Sequence, residues 1–276
     1  MNETSLWHEN AVQDLTALLQ PDPDVLALAV FGSYLQPQIL LDLWSDLDVV
    51  LVVKAEALER FYPTVDWLTP LGTVYAYDQS SNAFRHTTRL CFEDLRRIDL
   101  VIATESGLHR VEDWSRLPFW KNIKILFSRS AQIDRILSET LEQPKLSMPS
   151  PERFQTMANR FWFKGVTAVH KVARNDLLIA LHLAVDMVRD CCVLGMMLRD
   201  RAEGTNYHRD GGIGNRFAAK LESSIQQPPT ATGILNMIEE SSAVFDDLAA
   251  QWSDVYRESR HPLLTWIRQA RETLLQ

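Results

Sequence analysis

The chain has 276 residues, 46% hydrophobic and 23% charged, enough to bury a sizeable core in one large or two ordinary domains. With 28 basic against 36 acidic residues and a net charge of −8, it lacks the basic surface needed to grip nucleic-acid phosphates. That balance suits a cationic or small-molecule partner, and it also serves solubility.

The chain opens on the polar stretch MNETSLWHEN, and its apolar runs stop short of the ~20 residues a membrane span needs. A cytoplasmic protein with no membrane partner is expected. SLWHENAVQDLTALLQ (5–20) has helical periodicity and ends at the turn PDPD. VLALAVF (25–31) reads as a buried strand, followed by the Gly32-Ser33 turn and a short segment to Trp44. DLDVVLVV (46–53) is the second strand, and EALERFYPTVDWL (56–68) reads as a helix. GTVYAYD, TTRLCFED and RIDLVIAT are further strands, rich in β-branched and aromatic residues, and NIKILFSR is an edge-strand candidate.

After about residue 145 the pattern turns helical. LSMPSPERF is a Pro/Ser linker, and Ser150-Pro151-Glu152 has the form of a helix start. Helices are predicted over 152–172, 176–201, 215–226, 231–251 and 262–275, the second apolar on most of its circumference and so central to a bundle. The predicted architecture is an α/β (α+β) domain with a mixed sheet over 1–145, followed by an all-α helical bundle over 146–276. Cys91, Cys191 and Cys192 lack metal-ligand spacing and read as reduced packing residues.

Chemistry concentrates in the first half. Asp46 and Asp48 are two apart at the start of the apolar run Val49–Val53, so both carboxylates face one side of the strand. Like charges so placed repel and are costly to desolvate without a positive partner. A divalent cation is the simplest such partner. LRRIDLVIA places a third acid, Asp99, in another buried strand, and three acids near strand ends can hold two Mg²⁺ ions with help from phosphate oxygens. Gly32 allows close backbone approach, and the turn N–H groups with the Ser33 hydroxyl can hold phosphate. Each element alone is common; an aspartate entering a strand is often only a cap.

Gly-Ser, then Asp-x-Asp on the next strand, then a lone Asp on a later one resembles the DNA-polymerase-β-like nucleotidyltransferase superfamily, carried here by Gly32, Ser33, Asp46, Asp48 and Asp99. Length, a following helical domain and the phrase FEDLRRIDLVIA make the chain look most like the antibiotic nucleotidyltransferases, in particular aminoglycoside 6-adenylyltransferases. The match covers residues 25–104 well and the helical half in layout only. The resemblance implies an enzyme that moves AMP, or another nucleoside monophosphate, from ATP or another NTP to a hydroxyl of a small, cationic acceptor such as an aminoglycoside. It also implies Mg²⁺ and release of pyrophosphate. Ser33 would hold the β- and γ-phosphates, Asp46 and Asp48 would bind metal, and Asp99 would be metal ligand or base. The long apolar insertion YLQPQILLDLW between Gly-Ser and SDLD departs from the shorter, more polar connection of many relatives.

The helical half offers further candidates beside plainer readings. Asp176, in ARNDLLIAL, is a candidate base of the kind some antibiotic nucleotidyltransferases carry, or a helix N-terminal acid favoured by the dipole. Asp186 and Asp190, at i and i+4, could meet an amino sugar or pair with Arg189 or Arg199. In GTNYHRDGGIGNRF, Arg209 could reach the triphosphate, with Lys220 in the next helix, or the segment is a helix–helix loop. Phe161, Trp162 and Trp120 could stack on a base, although aromatics at helical spacing are more often core; His8, His170 and His182 read as structural. A competing reading takes Arg201 and His208, spaced R-x₆-H, as the loose signature of a HEPN-type ribonuclease module acting on RNA or protein. Oligomeric state is not legible in the sequence.

Overall fold

The computed structural model describes residues 7–35, 41–83, 85–108, 123–138, 148–204 and 214–275. The chain divides into two compact units, Met1–Pro144 and Lys145–Gln276.

The first unit is built on a six-stranded mixed sheet in the order β3-β4-β5-β2-β1-β6. Its strands are β1 (Val25–Phe31), β2 (Leu47–Val53), β3 (Val74–Ser81), β4 (His86–Phe92), β5 (Arg97–Thr104) and β6 (Lys124–Ser128). β2 and β5 run parallel, and the other ladders are antiparallel. Every residue of β2 is buried. This explains its unbroken apolar run: a central strand covered on both faces has no reason to alternate with polar residues.

Strand alternation divides the core. Leu47, Val49, Leu51 and Val53 face one layer with Ile98, Leu100 and Ile102, covered by Ala11, Leu15 and Leu19 of helix α1 (Trp7–Leu19). Val50 and Val52 face the other with Ala27, Ala29, Val101 and Ala103, covered by Ile133 and Leu137 of helix α2 (Ala131–Ser138). Asp48 and Asp99 belong to this second face by the same two-residue period.

The single helix expected over 56–68 is not formed. A 3₁₀ turn (Ala55–Ala57), one α-turn (Leu58–Phe61) and a second 3₁₀ segment (Asp66–Leu71) replace it. Pro63 has no N–H to donate and restricts the residue before it, so the helix stops at Phe61.

The second unit is helical. Its long helices are α3 (Pro151–Ala173), α4 (Leu177–Glu203), α5 (Ala231–Trp252) and α6 (Arg260–Leu274). Ser150 caps α3 by accepting from Arg153 N, and Thr230 caps α5 by accepting from Gly233 N. Phe161 and Phe245 stack face to face at 3.8 Å between centroids in the core. The helix expected over 215–226 is two short pieces, Gly214–Ala219 and Glu222–Ile225, because Leu221 leaves helical dihedrals and turns into the core. α4 packs against α3 and α5, yet keeps Leu178, Val185 and Met196 exposed along one stripe, so it is less enclosed than its composition suggested. Cys191 packs as expected, its thiol donating to the Ser241 carbonyl (3.4 Å), but its neighbour Cys192 is exposed. Among the described residues no helix is long and apolar enough to cross a membrane.

Candidate active site

Topology gathers the acids of the first unit at one end of the sheet. β2 and β5 are parallel, so their N-terminal ends lie together, and the register pairs Asp48 with Asp99 directly. β1 runs antiparallel to β2 and delivers its C-terminal end to the same place, with Phe31 opposite Asp48. The chain then turns through Gly32–Leu35, a 3₁₀ segment in which Gly32 and Ser33 are buried. Gly32, Ser33, Asp46, Asp48 and Asp99 thus meet from three separate strands.

Burial here is deep for charged groups: Asp48 is 4% exposed and Asp46 7%. Gly32 has φ +77°, a region that favours glycine, and a Cβ built on it would lie 2.0 Å from Asp48 Oδ2. Two independent constraints therefore require glycine, one of backbone conformation and one of space. The turn sits directly on the Asp48 carboxylate, a close-packed cradle that any side chain would fill.

Two guanidiniums attend the acids. Arg97 Nη2 lies 3.6 Å from Asp46 Oδ2 and 3.6 Å from Asp99 Oδ1, and Arg89 Nε lies 3.3 Å from Asp99 Oδ2. Arg89 faces Asp99 across the β4–β5 ladder, and Arg97 shares its face of β5 at i, i+2. Among the described residues no group of three or more His, Cys, Asp or Glu side chains stands ready-made around a metal position. The donor set still fits Mg²⁺: it is all carboxylate oxygen, two of its three acids are buried, and the protein already places cationic nitrogens beside it.

His8, on the buried stripe of α1, is 0% exposed. Its Nε2 lies 3.0 Å from the Ser45 carbonyl, and since a carbonyl only accepts, Nε2 carries the proton. Burial lowers the proton affinity of the ring, against the opposing pull of Asp46 and Asp42. His8 also stacks on Trp7 at 3.9 Å. Ser45 is held from its other side by Asp42, whose carboxylate accepts from the Ser45 N–H (2.8 Å) and hydroxyl (2.9 Å), and those bonds keep its pKa low. The residue before Asp46 is therefore clamped from two directions. The sequence signal was available: histidine occupies an apolar helical stripe with Ala11, Leu15 and Leu19. Arg89 and Arg97 gave no such signal, because their meaning depends on strand register.

The other predicted residues lie in the second unit. Asp176 occupies the N-cap position of α4 without a side-chain cap; its carboxylate accepts from Lys171 Nζ at 2.8 Å, which lowers its pKa. Lys220 pairs with Asp247. Asp186 and Asp190 both hold Lys164 Nζ, the latter at 2.6 Å, and Asp186 also holds Arg189 at 2.8 Å, while Arg199 pairs with Asp200. Phe161 is buried, and Trp162 Nε1 donates to the Tyr256 hydroxyl (3.2 Å), so both are core groups. His170 meets Trp266 edge-on and His182 is exposed. Arg201 donates to the carbonyls of Gln251 and Trp252 at the end of α5 and lies over the Trp252 ring. Arg209, His208 and Trp120 lie outside the described residues.

A mixed sheet of this order with a helical unit after it is the nucleotidyltransferase fold. The streptomycin adenylyltransferase family profile matches residues 8–220, and the chain belongs to that family; it is a nucleotidyltransferase. Among solved structures it is similar to an aminoglycoside 6-adenyltransferase from Bacillus subtilis at 14% identity, over 96% of this chain and 97% of that one, with a TM-score of 0.36. It is also similar to the spectinomycin adenyltransferase AAD(9) from Enterococcus faecialis, solved with ATP and spectinomycin, at 13% identity over 97% and 99% of the two chains, with a TM-score of 0.33. Among curated proteins nothing matches.

Proposed function

We propose that the protein transfers AMP from ATP to a hydroxyl of a small cationic acceptor of the aminoglycoside type, with release of pyrophosphate and with Mg²⁺ as cofactor. The observation that carries the reading is the meeting of Gly32-Ser33 with Asp46, Asp48 and Asp99 at one end of the sheet, in a chain of the streptomycin adenylyltransferase family.

Asp46, Asp48 and Asp99 are the residues that would hold Mg²⁺, which supplies charge neutralisation of the triphosphate and of the pyrophosphate leaving group. Ser33 and the backbone of its turn bind phosphate oxygens, and Gly32 allows that backbone to approach. Asp99, the least buried of the three acids, would accept the acceptor's hydroxyl proton. Asp176, whose carboxylate pairs with Lys171, is the second base candidate. Residues 146–276, whose basic and acidic side chains balance, are assigned to acceptor binding, and the net acidity of the chain lies in residues 1–145. The ribonuclease reading gains nothing from the second unit, since the Arg201 guanidinium is committed to the end of α5.

The test is pyrophosphate release from Mg·ATP against a panel of aminoglycosides including streptomycin and spectinomycin, with Asp48→Ala beside the wild type. Release with one compound and a fall on the order of 10³-fold in the folded variant is expected. Full activity in Asp48→Ala would remove the acid cluster from the reaction.

A further inference from the structure

We propose that Arg97 is an exchangeable counter-ion: it holds Asp46 and Asp99 together in the nucleotide-free protein, yields that place to Mg²⁺, and takes the triphosphate as its new partner. The proposal rests on the reading of the three aspartates as the metal site and adds to it a phosphate-binding residue that the sequence motif does not contain.

The geometry points to exchange rather than to a permanent bridge. One nitrogen, Nη2, faces both carboxylates at 3.6 Å. That is ion-pair distance, too long for a committed hydrogen bond to either. Lys164 in the second unit shows what commitment looks like in this protein, with Asp190 at 2.6 Å. The Arg97 side chain is also 47% exposed, whereas that of Asp46 is 8% exposed, so the guanidinium approaches buried acids from the solvent edge and can withdraw without disturbing the core. Arg97 is the first residue of β5.

Charge explains why a cation should wait there. Three carboxylates gathered on one sheet end need positive charge in every state of the site, or they repel and take up protons. Before nucleotide arrives, Arg97 and Arg89 supply it. Afterwards two divalent cations offset a fully ionised triphosphate, but the three carboxylates leave the site as a whole negative, so a guanidinium moved onto the triphosphate still lowers the total charge. The planar fork of arginine suits phosphate oxygens as well as carboxylates, so the same side chain can serve both states.

The experiment measures two affinities on the full chain, for wild type, Arg97→Ala and Arg97→Gln, with a thermal melt as the folding control. One is Mn²⁺ binding without nucleotide, read by the loss of the free Mn²⁺ paramagnetic signal. The other is binding of Mg²⁺ with α,β-methylene ATP, which cannot release pyrophosphate. Removing a competing cation should tighten Mn²⁺ binding roughly threefold or more, while losing a charge-assisted phosphate contact should weaken the nucleotide analogue roughly tenfold. Opposite signs are the signature. A fall in both affinities would make Arg97 a merely structural strut, and no change in either would remove it from the site; each overturns the proposal. Should Arg97→Ala not fold, the near-isosteric Arg97→Gln reads the same two numbers. A wild type that binds Mn²⁺ no better than Asp48→Ala would instead overturn the metal reading itself, and this proposal with it.

Discussion

Both units of the protein gather aspartates around a base, but they do so to different depths of commitment. In the second unit Lys164 closes on Asp186 and on Asp190, the latter at 2.6 Å, and Asp246 accepts from the Tyr256 hydroxyl at 2.6 Å and from the N–H groups of Ser259 and Arg260. Each acid there has close donors that also tie helices together, α3 to α4 in one case and α5 to the start of α6 in the other. In the first unit the guanidiniums of Arg97 and Arg89 stand 3.3 to 3.6 Å from Asp46 and Asp99, and Asp46 and Asp48 are the more deeply buried acids. Close pairing marks acids that hold a fold together. On the proposed reading, the longer guanidinium contacts of the first unit leave its acids to Mg²⁺.

The largest effect that would sharpen this contrast comes from Gly32. Replacing it with alanine places a Cβ 2.0 Å from Asp48 Oδ2 at a backbone with φ +77°. Gly32→Ala is expected to cost about 1–3 kcal/mol of stability through strain and, by displacing Asp48, on the order of 10²-fold in turnover. Melting and pyrophosphate release measured on one preparation would check it. Normal turnover would mean that the turn and the carboxylate need not touch, and the cradle would lose its meaning.

A smaller loss is expected from His8→Ala. The imidazole holds the Ser45 carbonyl and so aims the entry of β2. Removing such outer support from a ligand typically costs ~10–100-fold in metal affinity or activity. His8→Gln, which can donate from a similar position, should recover part of it. The concentration of Mg²⁺ that gives half-maximal activity should rise in the first variant and return toward normal in the second. A loss of stability without any change in Mg²⁺ dependence would reduce His8 to core packing.

Much of this site is legible in the sequence, because strand periodicity and a close-approach glycine are local properties. Two aspartates at i, i+2 ahead of five apolar residues can face only one way, and a buried strand ending in Gly-Ser announces a tight turn. What was hidden is what depends on pairing. Arg97 is an ordinary polar residue until the register Leu47↔Ile98 sets it near Asp46, and Arg89 until β4 lays it against Asp99. The helix expected over 56–68 is broken for a local reason: Pro63 cannot continue it, whatever the apolar spacing around it. In the second unit the run 215–226 was split by Leu221, a tertiary demand that helical propensity does not record.

The smallest effect, and the one that tests the committed side of the contrast, comes from Lys164. In the wild type Lys164, ahead of Arg189, holds the Asp186 carboxyl below its usual range. A carboxylate with a depressed folded-state pKa contributes stability that is present above its unfolded value of 3.8 and is lost as pH falls through the folded value. Lys164→Met reverses the sign. Asp186 would then lose its main cation and face Asp190 at i, i+4, so folding would no longer favour its ionised form, and stability would be regained as pH falls. At neutral pH the substitution should cost roughly 1–3 kcal/mol, less than the 3–5 typical of a fully buried pair, because the three side chains keep some access to solvent. Denaturant unfolding at pH 7 and near pH 4 would show the wild type losing stability on acidification and the variant holding or gaining it. Parallel slopes for the two proteins would mean that Lys164 is as loosely held as Arg97, and the distinction between a closed cluster and an open one would fail.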